Sequence, residues 1–279
     1  SANRISSQDR YGCKDSDKDG YSDPTSDWPS HPDGLADAFV SNPTQWWDCD
    51  GDHFGDNWGD DITNLSRVDE LCSTSSGLPE QPLGIYVQGA YNVDFFPRLR
   101  VAANDSDIDG WTDDWINQED PGDAVALKID ACPFTSGSST RDRYGCPDAD
   151  GDGYSTADSN WSWEQGADNF THDNTQWWDC DGDGFGDNYD QFAMYSLRSN
   201  TICDSNRTSL GELIEVANGT DICPLQWGNS TGGYLGCPDS DGDGLPDPLN
   251  CDLEQCNCEI GACSCAVSGE DAFPCDPSR

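Results

Sequence analysis

Apolar residues dominate only one long stretch of this chain, residues 83–103 (LGIYVQGAYNVDFFPRLRVAA), which is also its least acidic part and reads as strands. Around it the chain is dominated by Asp, with Gly, Pro and Cys flanking the acidic clusters. Of the 54 acidic residues, 45 are Asp and 9 are Glu. Asp competes for backbone hydrogen bonds and is a poor helix former, so an acidic helix bundle is excluded. No apolar run approaches the ~20 residues of a membrane span. Residues 251–265 (CDLEQCNCEIGACSC) hold five cysteines and read as a disulfide-bound insert.

The polar pattern repeats. Thr44–Asp52 reads TQWWDCDGD, and Thr175–Asp183 is identical to it, 131 residues later. Phe54-Gly55-Asp56-Asn57 returns as Phe185-Gly186-Asp187-Asn188, and Asp9-Arg10-Tyr11-Gly12-Cys13 as Asp142-Arg143-Tyr144-Gly145-Cys146. A third partial copy begins at Tyr234 with YLGCPDSDGDG, and Asp271-Ala-Phe-Pro resembles Asp37-Ala-Phe-Val. The expected organisation is a repeat unit at 1–77, a β-rich connecting segment at 78–103, a second unit at 104–220, a partial third repeat at 221–250, and a Cys-rich insert with a truncated repeat end at 251–279. Both ends fall inside this pattern, as expected either of a piece of a longer array or of a protomer whose ends complete each other across subunits.

Charge narrows the function classes. The formal net charge of −41 excludes attraction to nucleic acid or to an anionic membrane, and no membrane insertion is expected. Apolar residues at 34% with this charge are a signature of disorder. The 11 Trp, 9 Tyr, 9 Phe and regularly placed cysteines argue for a folded chain that something neutralises. Fifteen cysteines point to an oxidising compartment, hence an extracellular or cell-surface location. The opening SANRISSQ carries no signal-peptide pattern, so an export signal is expected to have been removed already.

The placement of the aspartates names the neutralising partner. Six segments share Asp-x-Asp-x-Asp: Asp15/Asp17/Asp19, Asp48/Asp50/Asp52, Asp105/Asp107/Asp109, Asp148/Asp150/Asp152, Asp179/Asp181/Asp183 and Asp239/Asp241/Asp243. Five continue with Gly (Gly20, Gly110, Gly153, Gly184, Gly244), and five place another Asp four residues after the third: Asp23, Asp56, Asp113, Asp187 and Asp247. Alternate carboxylates closed by a Gly turn curl around a hard cation, and so dense an oxygen set suits Ca²⁺, with six or more ions expected. Mg²⁺ keeps more water, and Zn²⁺ needs His or Cys where the chain has three His (His31, His53, His172). The loops are not EF-hands, because position 12 is Ser26, Gly59, Ile116, Ser159, Asp190 and Asn250, never Glu. Further ligands must come from elsewhere, with Asp37 and Asp168, at matching repeat positions, and Asp158 as candidates.

The run from Asp130-Ala-Cys132-Pro133 to Cys146-Pro147-Asp148-Ala-Asp150-Gly-Asp152-Gly153, repeated from Asp221-Ile-Cys223-Pro224 to Cys237-Pro238-Asp239-Ser-Asp241-Gly-Asp243-Gly244, resembles the thrombospondin type 3 repeat family in its prokaryotic secreted form. The resemblance covers roughly 9–60, 104–190 and 221–248, and departs at His53, in place of the turn Gly, and at Thr156, in place of the ninth-position Asp. It implies a chain wrapped around calcium ions and stapled by disulfides. The expected fold class is therefore mainly irregular with some β: a calcium- and disulfide-stapled repeat protein with few helices and a small β-strand region.

Repeat logic pairs Cys49 with Cys72, Cys180 with Cys203, Cys132 with Cys146 and Cys223 with Cys237. Cys13, Cys251, Cys256, Cys258, Cys263, Cys265 and Cys275 remain, an odd number, which leaves a free thiol or a bond between chains; the sharp expectation is an intersubunit Cys13–Cys275 bond. Glycosylation sequons occur at Asn64, Asn104, Asn160, Asn169, Asn206, Asn218 and Asn229, so N-linked glycans are expected. Trp46-Trp47 and Trp177-Trp178 are expected to form small cores in a chain short of aliphatics, with sugar stacking as the alternative. No catalytic fingerprint appears, so no enzyme is expected. The sequence reads as an extracellular calcium-binding structural protein, a protomer of a fibre, filament or matrix assembled head to tail with itself. The alternatives are a monomeric calcium-stiffened spacer or adhesion arm and a carbohydrate-binding module.

Overall fold

The computed structural model describes residues 5–59, 70–72, 78–116, 128–190, 203, 211–248, 270–271 and 274, with the backbone of 256–257 and 262–263. The chain forms two compact units, one of residues 1–137 with 144–146, the other of 138–143 with 147–279. Among the described residues, regular structure is limited to two short antiparallel pairs and a single 3-10 turn at Trp163–Gln165. β1 (Leu71–Cys72) pairs with β2 (Gln81–Pro82), Leu71 opposite Pro82, and β3 (Cys256–Asn257) pairs with β4 (Ala262–Cys263). The fold is irregular, disulfide-stapled and poor in helix, as the Asp-rich sequence requires. No helix among the described residues is long and apolar enough to cross a membrane.

Residues 83–103 do not form the strands their apolar character predicts. Gly84, Gly89 and Asn92 stand at φ of +69°, +73° and +57°, which breaks an extended run three times. Gly84 is obligatory, since a Cβ there would lie 1.8 Å from the Asp56 carbonyl oxygen. The segment touches its neighbours through single parallel bridges, Tyr86 to Trp58 and Val93 to Gly55. Its aliphatics are spent on burial instead: Leu83, Val101, Ala102 and Ala103 are core residues.

The two units share their wiring. In one, the buried Gln45 side chain accepts the Asn57 N–H at 2.9 Å and donates to the Asn57 carbonyl at 2.9 Å. In the other, Gln176 does the same to Asn188 at 2.9 and 3.1 Å. Gly55 and Gly186 lie directly behind these amides, where a Cβ would sit 2.1 and 2.0 Å from the glutamine Oε1. Tyr21 stacks on Trp46 at 5.1 Å and Trp47 meets Trp46 edge-on at 5.9 Å; Tyr154, Trp177 and Trp178 repeat the cluster at 5.3 and 6.4 Å. Trp46, Trp47 and Trp177 are buried, so these pairs are small cores.

Among the described residues four disulfides form, Cys49–Cys72, Cys132–Cys146, Cys180–Cys203 and Cys223–Cys237. Each closes a loop of 14 or 23 residues, worth roughly 3 kcal/mol by the chain-entropy model. They mark a chain that matures in an oxidising environment.

Candidate metal sites

Each Asp loop is wound by its first carboxylate. The Oδ1 atoms of Asp15, Asp48, Asp105, Asp148, Asp179 and Asp239 accept the N–H three residues on at 2.6–2.8 Å. Their Oδ2 atoms accept the N–H five residues on at 2.8–3.1 Å. That winding needs positive φ at the fourth and sixth positions, as at Gly182 and Gly184 (+78° and +95°), which is why glycine recurs there. His53 takes φ +77° in place of the sixth-position glycine, so the second loop keeps the same course. In five loops, Asp15/Asp17/Asp19, Asp48/Asp50/Asp52, Asp105/Asp107/Asp109, Asp148/Asp150/Asp152 and Asp179/Asp181/Asp183, one carboxylate oxygen from each Asp lies within 4.8 Å of the others. Oxygen groups of this kind can hold a metal ion.

A distant aspartate closes every loop. Asp37 and Asp168 do so for the first and fourth, at the matching repeat positions. The sequence reading missed the other four: Asp94, Asp130, Asp221 and Asp271. The backbone attachment is the same six times: the distal N–H bonds the carbonyl just before the loop's ninth position. The pairs are Asp37–Ser22 (3.0 Å), Asp94–Gly55 (2.8 Å), Asp130–Thr112 (2.8 Å), Asp168–Ser155 (2.9 Å), Asp221–Gly186 (2.8 Å) and Asp271–Pro246 (2.7 Å). In five of them Oδ1 accepts the N–H two residues on, from Phe39, Phe96, Cys132, Phe170 or Cys223, at 2.6–2.7 Å. A signal for all six was present in the sequence. Each begins Asp-x-Phe or Asp-x-Cys: Asp37-Ala-Phe, Asp94-Phe-Phe, Asp130-Ala-Cys, Asp168-Asn-Phe, Asp221-Ile-Cys and Asp271-Ala-Phe. The distance from the loop, 20 to 46 residues after its first Asp, hid it.

Among the described residues, five of these carboxylates have a second oxygen with no protein donor. Oδ2 of Asp37, Asp94, Asp130, Asp168 and Asp221 is buried without a hydrogen bond, in residues at most 4% exposed. Oδ2 of Asp17, Asp19, Asp50, Asp52, Asp107, Asp150, Asp152 and Asp181 is equally buried and unbonded. A buried anionic oxygen without a partner costs several kcal/mol, so convergent sets of them require a counter-charge. Protonation is the substitute when no ion is bound. Burial, reinforced by Asp52, Asp50 and Asp56, pushes Asp94 up to about 10. Burial with Asp183, Asp181 and Asp187 nearby pushes Asp221 up to about 9, and burial with Asp19, Asp17 and Asp23 pushes Asp37 up to about 8. Burial raises Asp130 and Asp168 to about 6, and Asp19, Asp50, Asp52 and Asp152 to about 7.

The ninth-position aspartates divide into two kinds. Asp23, Asp113 and Asp247 accept both the N–H and the hydroxyl of the serine between the first two loop aspartates, Ser16, Ser106 and Ser240, at 2.5–3.2 Å. Asp23 also pairs with Lys14. In the second and fifth loops that intervening residue is a bridged cysteine, Cys49 or Cys180, and Asp56 and Asp187 are buried, 0% and 1% exposed, beside Asp94 and Asp221. The fourth loop has Thr156, whose Oγ1 is buried without a hydrogen bond. Asp158 goes elsewhere: it pairs with Arg143 at 2.7 Å and accepts the Asn160 and Trp161 N–H groups, so the structure gives it a turn-capping place rather than one in the fourth loop.

Cys13 is half-buried and has no disulfide partner among the described residues, while Cys275 lies outside them. Of the sequons, Asn160, Asn169, Asn218 and Asn229 are exposed and Asn104 is half-buried; Asn64 and Asn206 lie outside the described residues. Neither a family model, nor a curated protein, nor a solved structure matches this chain. The repeated Asp clusters and the disulfides are compatible with a calcium-binding repeat protein.

Proposed function

We propose that this is an extracellular calcium-binding structural protein, built from thrombospondin type 3-like repeats, that serves as the protomer of a surface fibre or matrix assembled head to tail. The observation that carries the calcium part is the convergence, on each loop, of a distal buried carboxylate. Ca²⁺ is favoured because the donors are all oxygen, numerous and mostly anionic. In each site the three loop aspartates and the distal one are the protein ligands: Asp37, Asp94, Asp130, Asp168, Asp221 and Asp271 in chain order. Asp56 and Asp187 add a fifth carboxylate to the second and fifth sites. Asp23, Asp113 and Asp247 brace the loop through serine. An ion here joins segments 20 to 46 residues apart, so it acts as a reversible cross-link in a chain with little sheet or helix.

Extracellular calcium modules bind at ~10⁻⁴–10⁻³ M, so ten- to hundredfold excess calcium adds roughly 1.4–2.7 kcal/mol per site. The burial of Trp46, Trp47 and Trp177 speaks for the structural role over a sugar-stacking one. The repetition of one unit supports assembly into open arrays, because a contact between different surfaces of successive copies extends unless it closes into a ring. Exposed sequons would carry glycans on the outside of such an array.

The test is the size distribution of the native protein in millimolar calcium and again after chelation, with bound calcium counted on the same samples. Uniform polymers carrying about six ions per chain are expected. Monomers that bind calcium would replace the filament with a calcium-stiffened arm, and a chain that binds none would overturn the proposal altogether.

A further inference from the structure

A cleft that the metal sites do not use lies beside the second and third Asp loops, and three segments wall it. Phe54 is held by its N–H on Oδ1 of Asp52 at 2.7 Å. Gly55 donates to the Asn92 carbonyl at 2.9 Å and accepts the Asp94 N–H at 2.8 Å, which lays residues 92–94 alongside. The Phe95 N–H bonds the Ala103 carbonyl at 2.9 Å and brings Asn104 to the third side. Each wall adjoins an aspartate of a metal site: Asp52, Asp94 or Asp105.

The cleft holds about 360 Å³, at the lower end of small-ligand pockets. Phe54, Ala90, Val93 and Phe95 give it an apolar lining, and Asn92 and Asn104 add two amides. Phe54, Val93 and Phe95 are each half-buried, so they are neither core nor open surface. Nδ2 of Asn92 donates to the His53 carbonyl at 3.2 Å, which leaves its Oδ1 as an acceptor. Among the described residues no charged side chain lines the cleft, in a chain of net charge −41. Aromatic faces beside amides match a neutral sugar ring. Its C–H face stacks on the electron-rich face of an aromatic ring, and its hydroxyl or acetamido groups take up the amide hydrogen bonds.

An attachment point for such a ring stands in the wall itself, because Asn104-Asp105-Ser106 is a glycosylation sequon. The Asn104 carbonyl accepts the Asp113 N–H at 3.0 Å and the Thr112 hydroxyl at 3.2 Å, which fixes the backbone at the cleft. Its side-chain amide has no hydrogen-bond partner among the described residues. Asn169 and Asn218 are placed differently, since their Nδ2 groups donate to Asp179 and Asp173, each at 3.4 Å.

We propose that Asn104 carries an N-linked glycan whose first ring, a neutral hexose or N-acetylhexosamine, is seated in this cleft against Phe54 and Phe95; this rests on the extracellular, glycosylated reading above. The donor is an oligosaccharide pyrophosphate carried on a membrane lipid. Nδ2 of Asn104 attacks the anomeric carbon of the first sugar, so a C–N bond forms and the C–O bond to the pyrophosphate breaks. The leaving pyrophosphate keeps the electron pair, and the amide nitrogen gives up one proton. Attachment precedes closure of the third loop, because the folded chain spends both the N–H and the hydroxyl of Ser106 on Asp113, at 3.1 and 2.7 Å. Once seated, the ring spans Phe54 of the second loop and Asn104 at the start of the third, and ties the two loops together.

The test maps glycopeptides of the native, calcium-loaded protein by mass spectrometry, before and after an amidase that cuts the sugar–asparagine bond. Asn104 should carry a glycan with a neutral first sugar. The amidase should act on Asn104 about tenfold or more slowly in the folded protein than in the chelated, denatured one, because the cleft must open first. Asn160 and Asn229, which are exposed, should be stripped at similar rates in both. Phe95→Ala should remove most of the protection at Asn104, with bound calcium per chain unchanged. Phe95→Leu keeps an apolar wall and removes only the aromatic face; it should remove part of the protection, and it carries the test where the alanine variant does not fold. An unmodified Asn104 with Asn160 or Asn229 occupied would overturn the inference and leave the glycoprotein reading standing. Sequons all unoccupied would overturn both. An occupied Asn104 stripped equally fast from folded and denatured protein, or protection that neither Phe95 variant moves, would overturn the seat in the cleft.

Discussion

At the residue scale, one carboxylate oxygen per distal aspartate separates a ligand from a structural hydrogen-bonding group. Asp94→Asn keeps the Oδ1 that accepts the Phe96 N–H and removes the charge. In calcium this variant should lose at least tenfold in affinity at one site, about 1.4 kcal/mol, measured by calorimetric titration. After chelation it should be at least as stable as the parent, because a buried, mutually repelling carboxylate is gone. Destabilisation of equal size in both conditions would assign Asp94 a purely structural part. Acid acts through the same groups. Their pKa values in the ion-free fold lie above the ordinary 3.8, up to about 10 for Asp94, so the fold binds more protons than the unfolded chain between those limits. Stability of the chelated protein should therefore be greatest near pH 4 and fall as pH rises through about 6 to 10, read from denaturation midpoints. With calcium present, protons and ions compete, so calcium affinity should fall as pH drops from about 8 to 6.

At the scale of the element, the unit is a loop plus its distal strap, and the loops are not equivalent. The second and fifth gather five carboxylates around a disulfide-pinned turn, while the first, third and sixth spend the ninth-position aspartate on serine. Ligand charge and rigidity set calcium affinity, so stepwise chelation should empty the second and fifth sites last. Asp56→Asn should lower calcium affinity more than Asp113→Asn, by calorimetry on the two variants. Glycines test the strap geometry. Gly84→Ala puts a Cβ 1.8 Å from the Asp56 carbonyl at φ +69° and should cost about 3 kcal/mol. Gly89→Ala, at φ +73° with open space around it, should cost about 1–2 kcal/mol for the left-handed backbone alone. Similar midpoints for the two variants would contradict the packing described for Gly84.

At the scale of the whole molecule, a chain of charge −41 with so little sheet and helix among its described residues has small aromatic clusters and disulfides to hold it, and the proposed function adds bound cations. Chelation should lower the melting temperature by well over 10 °C, about what a loss of several kcal/mol does to a domain of this size. A melt indifferent to chelator would leave the buried oxygens of the cages without an explanation.

Local chemistry was legible in the sequence and long-range closure was not. Asp-x-Asp-x-Asp with glycine dictates a wound loop within seven residues, because the first carboxylate reaches only N–H groups three and five positions on. Cys49 and Cys72 or Cys132 and Cys146 could be paired because the repeat presents them twice. The loss of strands at 83–103 was not legible: apolar content favours extension, and only packing against Asp56 demands the left-handed Gly84 that helps to break it. Nor were the parts of Asp94, Asp130, Asp221 and Asp271: each carries the Asp-x-Phe or Asp-x-Cys mark, but the loop aspartates Asp52 and Asp183 also precede a phenylalanine by two, and only the backbone shows which marked segment returns to a loop. Sequence by itself determined the repeat, the loops and the four bridges, since each is specified by neighbours along the chain or by an identical copy. Tertiary structure alone decided which distant carboxylate closes which loop, because that depends on chain paths spanning 20 to 46 residues that no local pattern encodes.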